Sequence, residues 1–300
     1  MPLRSGDIGN MQYNLTEPSI FMPTFLNEAL VWKERHPNGT VYAGGTYLLW
    51  NQSGRLLRLP ESILSLKNIK ELTRFGRTES RLEVGAAVSI QRILRAGPKV
   101  LSPLLAKALE GISPPGITSM ATLGGNLSVQ NRCMASFPVM HVLDARCELR
   151  NAKGTRWVPV TGLRSETGEL QLEPVELITR IQIPMEEWNF FIHRRIGSSP
   201  YGITPDSLVI VLVGKTYRGM ITEFRFALGN FSPHIYRNRD LETLLIGMRL
   251  SRGKNKDIKA FLYTLQEDLE TRKFLFSSLQ VEQVLRILEV TLSNPFQYGS

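Results

Sequence analysis

Two doubled glycines are the residues of this chain best suited to chemistry. Ala43-Gly44-Gly45-Thr46 follows the short run Thr40-Val41-Tyr42, and Thr122-Leu123-Gly124-Gly125-Asn126 comes later in the chain. A doubled glycine lets the backbone turn tightly and brings N–H groups against a ligand with no Cβ in the way. Such groups form a concave anion site. Thr46 and Thr122 add hydroxyl donors, and Asn126 adds a side-chain amide. Each bond from an N–H to a charged oxygen contributes about 1.5–3 kcal/mol. Two such loops predict one diphosphate held from two sides.

Other chemistry is missing from the sequence. Gly214-Lys215-Thr216 resembles the end of a P-loop, but its required first glycine is Val209. There is no G-x-G-x-x-G for a Rossmann site and no G-x-S-x-G elbow. His36, His141, His193 and His234 lie at no helical metal-capture spacing. Cys133 and Cys147 make neither a zinc nor an iron–sulfur set and read as free thiols. No metal site is expected, and no catalytic residue can be named. The chemistry then belongs to a cofactor, with the protein supplying binding and orientation.

Size and charge narrow the class. Three hundred residues at 42% hydrophobic content make one large domain or two ordinary ones. Apolar runs such as Leu208 to Val213 are too short to span a membrane, and the start Met1-Pro2-Leu3-Arg4-Ser5 lacks the apolar stretch of a signal peptide, so a cytoplasmic protein is expected. The net charge of +9 is diffuse; its densest stretch runs from Arg237 to Lys256. No aromatic–basic interleaving accompanies it, so nucleic acid is not an expected partner, and the stretch reads as a solvated face or a docking surface for a partner subunit.

The glycine loops need elements to position them. Thr24 is the expected N-cap of a helix over residues 25–33, followed by a strand at Thr40-Val41-Tyr42 and a helical turn at Tyr47-Leu48-Leu49-Trp50. Leu56 to Leu59 reads as a strand, and residues 69–75 and 81–86 as a hairpin. Ser89 caps a short helix, and a second follows from Pro103. Strands are expected at 147–150, 155–160 and 177–184. Beyond a boundary near Pro184 to Asn189 come strands over 189–196, 207–217 and 221–228, then helices near 239–246, 256–267 and 281–292. The fold class is α+β, with one domain over 1–186 (subdomains about 1–55 and 56–186) and a smaller one over 187–300, a sheet with helices on one face.

The order of motifs resembles a known family. It runs Ala43-Gly44-Gly45-Thr46-Tyr47-Leu48-Leu49, then Leu82-Glu83-Val84-Gly85-Ala86, Thr122-Leu123-Gly124-Gly125-Asn126, Leu143-Asp144-Ala145, Glu176-Leu177-Ile178 and Ala227-Leu228-Gly229-Asn230. This is similar to the FAD-binding (medium) subunit of the molybdenum hydroxylases, such as xanthine dehydrogenase and carbon monoxide dehydrogenase, over about Tyr13 to Leu292. The resemblance implies a two-subdomain FAD-binding domain of the vanillyl-alcohol-oxidase/PCMH type, followed by a second α+β domain. It implies an oxidoreductase subunit that takes electrons from a [2Fe–2S] partner subunit and passes them to NAD or another acceptor. The substrate is oxidised at a molybdenum cofactor on a third subunit. Implied cofactor contacts are Ala43, Gly44, Gly45, Thr46, Tyr47, Leu48, Thr122, Gly124, Gly125, Asn126, Leu177, Ile178 and Arg194.

The chain departs from the family pattern at several of these contacts. Tyr47 stands where the family has Asp, and Ile117-Thr118-Ser119 where it has Ile-Arg-Asn. Ala135 replaces the Asp that bonds the ribityl chain; Arg194 and Ser198 replace a Lys and an Arg. Each lost charged bond costs about 1.5–3 kcal/mol. A second reading follows: a non-catalytic assembly subunit whose flavin site is weakened or lost. Among single residues, Cys133 reads as a gate or as a small buried filler, and Tyr47 as a ring on the cofactor or a structural tyrosine.

Overall fold

The computed structural model describes residues 18–50, 52, 58–165, 167–197, 204, 207–230, 232–249, 256–272 and 275–294. Among them, β1 (Ser19–Phe21), β2 (Thr40–Tyr42) and β3 (Ser62–Ser65) form a parallel sheet of order β1-β3-β2. Helix α1 (Leu26–Arg35) buries Leu26, Ala29 and Leu30, one helical face. These close a small core with Leu64, Ile69, Leu72 and Leu177. Phe25, not Thr24, occupies the N-cap position. The Glu28 carboxylate accepts from the N–H of Thr24 (3.2 Å) and Phe25 (3.3 Å), so an acidic side chain does the capping expected of Thr24. The strand read at 56–59 falls partly outside the described residues, and pairing is seen at β3 instead. Helix α2 (Thr46–Trp50) grows out of the first glycine pair.

A second, antiparallel sheet has the order β4-β5-β8-β6-β7. Its strands are β4 (Phe75–Arg77), β5 (Arg81–Gly85), β6 (Arg146–Arg150), β7 (Thr155–Pro159) and β8 (Leu177–Pro184). Residues Lys70–Thr73, read as strand, form a 3-10 turn. Ile69 and Leu72 are both buried three residues apart, a spacing that a turn satisfies and a strand does not. Alternation in β5, β6 and β8 turns Leu82, Val84, Cys147, Leu149, Ile181 and Ile183 to one side. Against them pack α3 (Ile90–Leu94), α4 (Pro103–Glu110), α6 (Leu123–Leu127) and α7 (Ser136–Val142), with the short α5 (Pro115–Thr118) against α3. Ser89, Ser102 and Thr122 each accept a first-turn N–H as N-caps.

The third sheet is antiparallel, of order β12-β11-β10-β9. It contains β9 (Phe190–Ile196), β10 (Leu208–Tyr217), β11 (Met220–Asn230) and β12 (Ile235–Tyr236). Helices α8 (Arg239–Leu244), α9 (Lys256–Thr271) and α10 (Ser278–Ser293) follow. Leu208, Ile210 and Leu212 share a core with α9 and α10. Val209, Val211 and Val213 point the other way, into the core of the second sheet with α4 and α7. Helices therefore cover both faces of this sheet. Charge ties the same junction: Asp144 bonds Arg225 (3.0 Å) and Arg237 (2.6 Å), and Arg237 also pairs with buried Glu242 (2.8 Å).

Candidate functional site

The first glycine loop leaves the end of β2 and turns into α2. Gly45 sits at φ +69°, a left-handed conformation that glycine adopts without strain. Gly44 is needed for a different reason: a Cβ there would lie 2.6 Å from the Met120 carbonyl carbon. Met120 lies two residues before Thr122, so the first loop is packed backbone to backbone against the segment leading into the second. The first protein-bound amide after the turn is that of Leu49, which donates to the Gly45 carbonyl (3.1 Å). Among the described residues, the N–H groups of Gly44, Gly45, Thr46, Tyr47 and Leu48 meet no backbone or side-chain acceptor. This is a row of open amides at the start of a helix, positioned for an anion.

The second loop is built differently. Its amides are already bonded within the protein. Leu123 N donates to Val88 O (3.3 Å), Gly124 N to Ala86 O (3.0 Å) and Asn126 N to Thr122 O (2.9 Å). Gly125 N donates to the Thr122 hydroxyl (3.1 Å). A Cβ on Gly124 would lie 2.7 Å from the Ala86 carbonyl oxygen, so this glycine serves helix–strand packing. The Asn126 side chain accepts from Ser136 Oγ. Two rows of amides facing one diphosphate, the arrangement read from the sequence, are therefore not present. One loop carries open amides, and the other braces it.

Sequence reading missed the residue between them. Arg132 is 7% exposed, and its guanidinium carbon lies 3.8 Å from the Trp50 ring centre and 5.6 Å from that of Tyr47. Both rings belong to α2, and they stack on each other at 6.1 Å. Burial holds the Arg132 pKa below its ordinary value, while Tyr47 acts in the opposite direction. Arg164 pins the loop that carries it, donating to the carbonyls of Gln130 (2.8 Å), Gly168 (2.8 Å), Arg132 (3.0 Å) and Val129. Cys133 is buried beside it, with its thiol bonded to the Pro233 carbonyl (3.0 Å). It is a packed filler: burial pushes the thiol up to about 12. The only sequence signal for Arg132 was a charge within an otherwise apolar and polar-neutral stretch.

The remaining expected residues divide. Leu177 packs in the small core with Ala43 beside it, next to the first loop. Ile178 faces the larger core. Strand β5 pairs with β8 only as far as Gly85–Arg180, and β6 pairs on through Leu177. Thr118 and Ser119 turn their hydroxyls back to Pro115 O (3.1 Å) and Gly116 O (2.7 Å). Ala135 is buried in the core. Arg194 is exposed on β9, in strand register with Ile192 and Ile196, and so on the face of α9 and α10. The structure does not bring it to the loops. Ser198 lies outside the described residues. Leu49, Trp50, Ile117 and Met120 form an exposed apolar rim around the loops.

Residues 12–186 match the family described as the FAD binding domain in molybdopterin dehydrogenase. The chain belongs to that family. It is similar to the xanthine dehydrogenase FAD-binding subunit of Escherichia coli O157:H7, at 25% identity over 206 residues, covering 66% of this chain and 68% of that protein. It is 29% identical over 170 residues to the nicotinate dehydrogenase FAD-subunit of Eubacterium barkeri, covering 54% of this chain and 57% of that one. Quinoline 2-oxidoreductase from Pseudomonas putida 86 superposes with a TM-score of 0.76 over 94% of this chain and 98% of that chain, at 20% identity, a likeness of fold. The chain is thus an FAD-binding subunit of the molybdenum hydroxylase family. Among the described residues no helix is long and apolar enough to cross a membrane.

FAD carries a diphosphate and two flat rings. The open amides from Gly44 to Leu48, the buried Arg132 and the apolar rim fit those parts. The second loop fits as a brace, and Ala135 offers no polar atom to a ribityl chain.

Proposed function

We propose that this chain is the electron-transfer flavoprotein component of a xanthine dehydrogenase-like hydroxylase. Its partners are an iron–sulfur subunit and a molybdenum-cofactor subunit. The observation that carries this reading is the row of open amides in Ala43-Gly44-Gly45-Thr46-Tyr47-Leu48, packed against the segment leading into the second loop. Bound FAD supplies the exchange between single electrons from iron–sulfur and the two-electron reduction of NAD or another acceptor.

The residues of this chain bind and orient. Gly44, Gly45, Thr46, Tyr47 and Leu48 would donate main-chain hydrogen bonds to the diphosphate. Thr122, Gly124, Gly125 and Asn126 hold the facing wall rigid through their internal bonds. Leu177 and Ile178 would offer backbone edge to one of the flat rings. The role of Arg194 would depend on movement of β9 or on a partner, since its strand face leads away from the loops.

The test is an absorption spectrum of the purified chain, with release and identification of the cofactor. Bound flavin at one equivalent supports the reading. The buried alanine at position 135 favours a second reading, an assembly subunit with a weakened flavin site. A colourless chain that still co-purifies with an iron–sulfur partner would establish that alternative.

A further inference from the structure

We propose that the cleft between segment 70–74 and the outer face of the second sheet binds a nucleoside phosphate. The phosphate meets a cationic rim, and a hydroxyl or amino group of the nucleoside meets the Glu148 carboxylate. The site stands apart from the flavin reading: none of its lining residues belongs to either glycine loop or to the implied cofactor contacts.

The cleft has a volume of about 700 Å³, a size typical of small-molecule sites. Its wall is a crossing stretch of chain. Gly85 N donates to Arg74 O (2.8 Å) and Ala87 N to Leu72 O (2.9 Å), and a Cβ on Gly85 would lie 2.6 Å from the Leu72 carbonyl carbon. Segment 70–74 therefore lies over the end of β5. The floor is the sheet face turned away from the helices. There Arg180 stands in register with Gly85 on one side and Glu148 on the other. The covering wall explains why the Glu148 side chain, on an otherwise open sheet face, is only 9% exposed.

Charge decides the ligand. Each lining carboxylate already has a partner. Glu71 pairs with Arg150 (2.8 Å), Glu83 accepts from Gln182 (2.9 Å), and Glu148 Oε2 accepts from the Thr179 hydroxyl (2.7 Å). Arg180 lies between Glu83 (3.5 Å) and Glu148 (3.6 Å). Among the described residues, the side chains of Lys70, Arg74 and Arg92, which line the same cleft, make no ion pair and no hydrogen bond. Uncompensated cations gathered at one cleft focus its field on an anion. An arginine fork matches phosphate oxygens with paired donors. Glu148 Oε1 takes no hydrogen bond from the described residues. A largely buried carboxylate oxygen left open selects a donor group. A bare phosphate satisfies the rim alone, and a nucleoside phosphate satisfies rim and floor.

The experiment measures binding of ADP, inorganic pyrophosphate and ribose 5-phosphate to the full chain by calorimetry, with FAD in excess so that any flavin site is filled. The wild type is compared with Arg74→Ala, Arg92→Ala and Glu148→Gln, and thermal melting checks each protein. Arg74 and Arg92 are exposed, so their alanine variants carry the test even where Glu148→Gln fails to fold. We expect a single equivalent of ADP on the wild type, bound roughly tenfold more weakly by each arginine variant. Glu148→Gln removes a negative charge together with a strong acceptor. Pyrophosphate should then bind at least as well and ADP severalfold worse, so the ratio of the two affinities falls. Absence of ADP binding overturns the proposal, as does binding seen only without FAD or binding that both arginine variants leave unchanged. An unchanged ratio in Glu148→Gln overturns the assigned floor contact. Pyrophosphate or ribose 5-phosphate binding as tightly as ADP overturns the nucleoside.

Discussion

Gly44 approaches Met120 so closely that a Cβ on the glycine would lie 2.6 Å from the Met120 carbonyl carbon. The contact welds the open-amide loop to the segment before the second glycine pair. Gly44→Ala must push backbone from backbone, an overpacking that costs about 1–3 kcal/mol. It should lower the melting temperature and the flavin content together. Gly76 has no atom within 4 Å of a built Cβ. Gly76→Ala is the control, expected to change neither reading.

Gly45 combines φ +69° with the Tyr42 ring, whose Cζ would lie 2.7 Å from a Cβ. Gly45→Val adds a β-branched side chain to a left-handed position, at a cost of about 1–2 kcal/mol before any clash. The loop should swing and its amides lose their common direction. Flavin content per chain is the measurement, with the wild-type value expected to fall severalfold; an unchanged value removes this loop from the site.

Breaking the charge junction should loosen the third sheet. Arg237 and Glu242 are both buried and bond at 2.8 Å, and Glu242 also accepts from Phe226 N (3.0 Å). Removing one partner of a buried pair costs about 3–5 kcal/mol where nothing else pairs the survivor; Asp144 still pairs with Arg237 (2.6 Å), so the cost here falls below that range. Glu242→Gln should lower the urea midpoint of unfolding. The double variant with Arg237→Met should recover part of that loss.

Stability should fall below neutral pH. Burial, then the Lys107 and Arg195 charges, lowers the His193 pKa to about 4. Burial, then Arg237 and Arg164, lowers that of His141 to about 3. An unfolded histidine takes a proton near pH 6.5. Between that pH and the folded values the unfolded chain holds more protons, so stability declines as pH drops through this window and levels off beneath it. Urea midpoints at pH 7.5 and pH 5 should differ, and His193→Gln should narrow the difference.

Both thiols should be silent in the native protein. Burial pushes Cys133 and Cys147 up to about 12, leaving almost no thiolate at pH 8. Ellman's reagent should label neither until denaturant is added, after which two equivalents react.

Local pattern carried much of the architecture. The alternation in 177–184 and the turn residues Asn151 to Gly154 mark strands because side-chain period and turn chemistry are written in adjacent residues. The two glycine pairs and their order were likewise enough to point to the family. Capping by Glu28 rather than Thr24, and the 3-10 turn at Lys70–Thr73, were lost because two local options compete there and packing chooses between them.

Three things were decided only by distant contacts. The apolar run Leu208 to Val213 could announce a buried strand, but not that its alternate residues serve two different cores. The glycines at 124 and 125 look like those at 44 and 45 in the sequence. Whether an amide is open depends on which carbonyl stands opposite, and Ala86 is nearly forty residues away. Arg132 sits beside Trp50 for the same reason: chain folding, not chain order, brings a charge and a ring together. Residue types follow from covalent sequence, but a hydrogen bond or a stack needs two groups in one place, and only the closed fold supplies that.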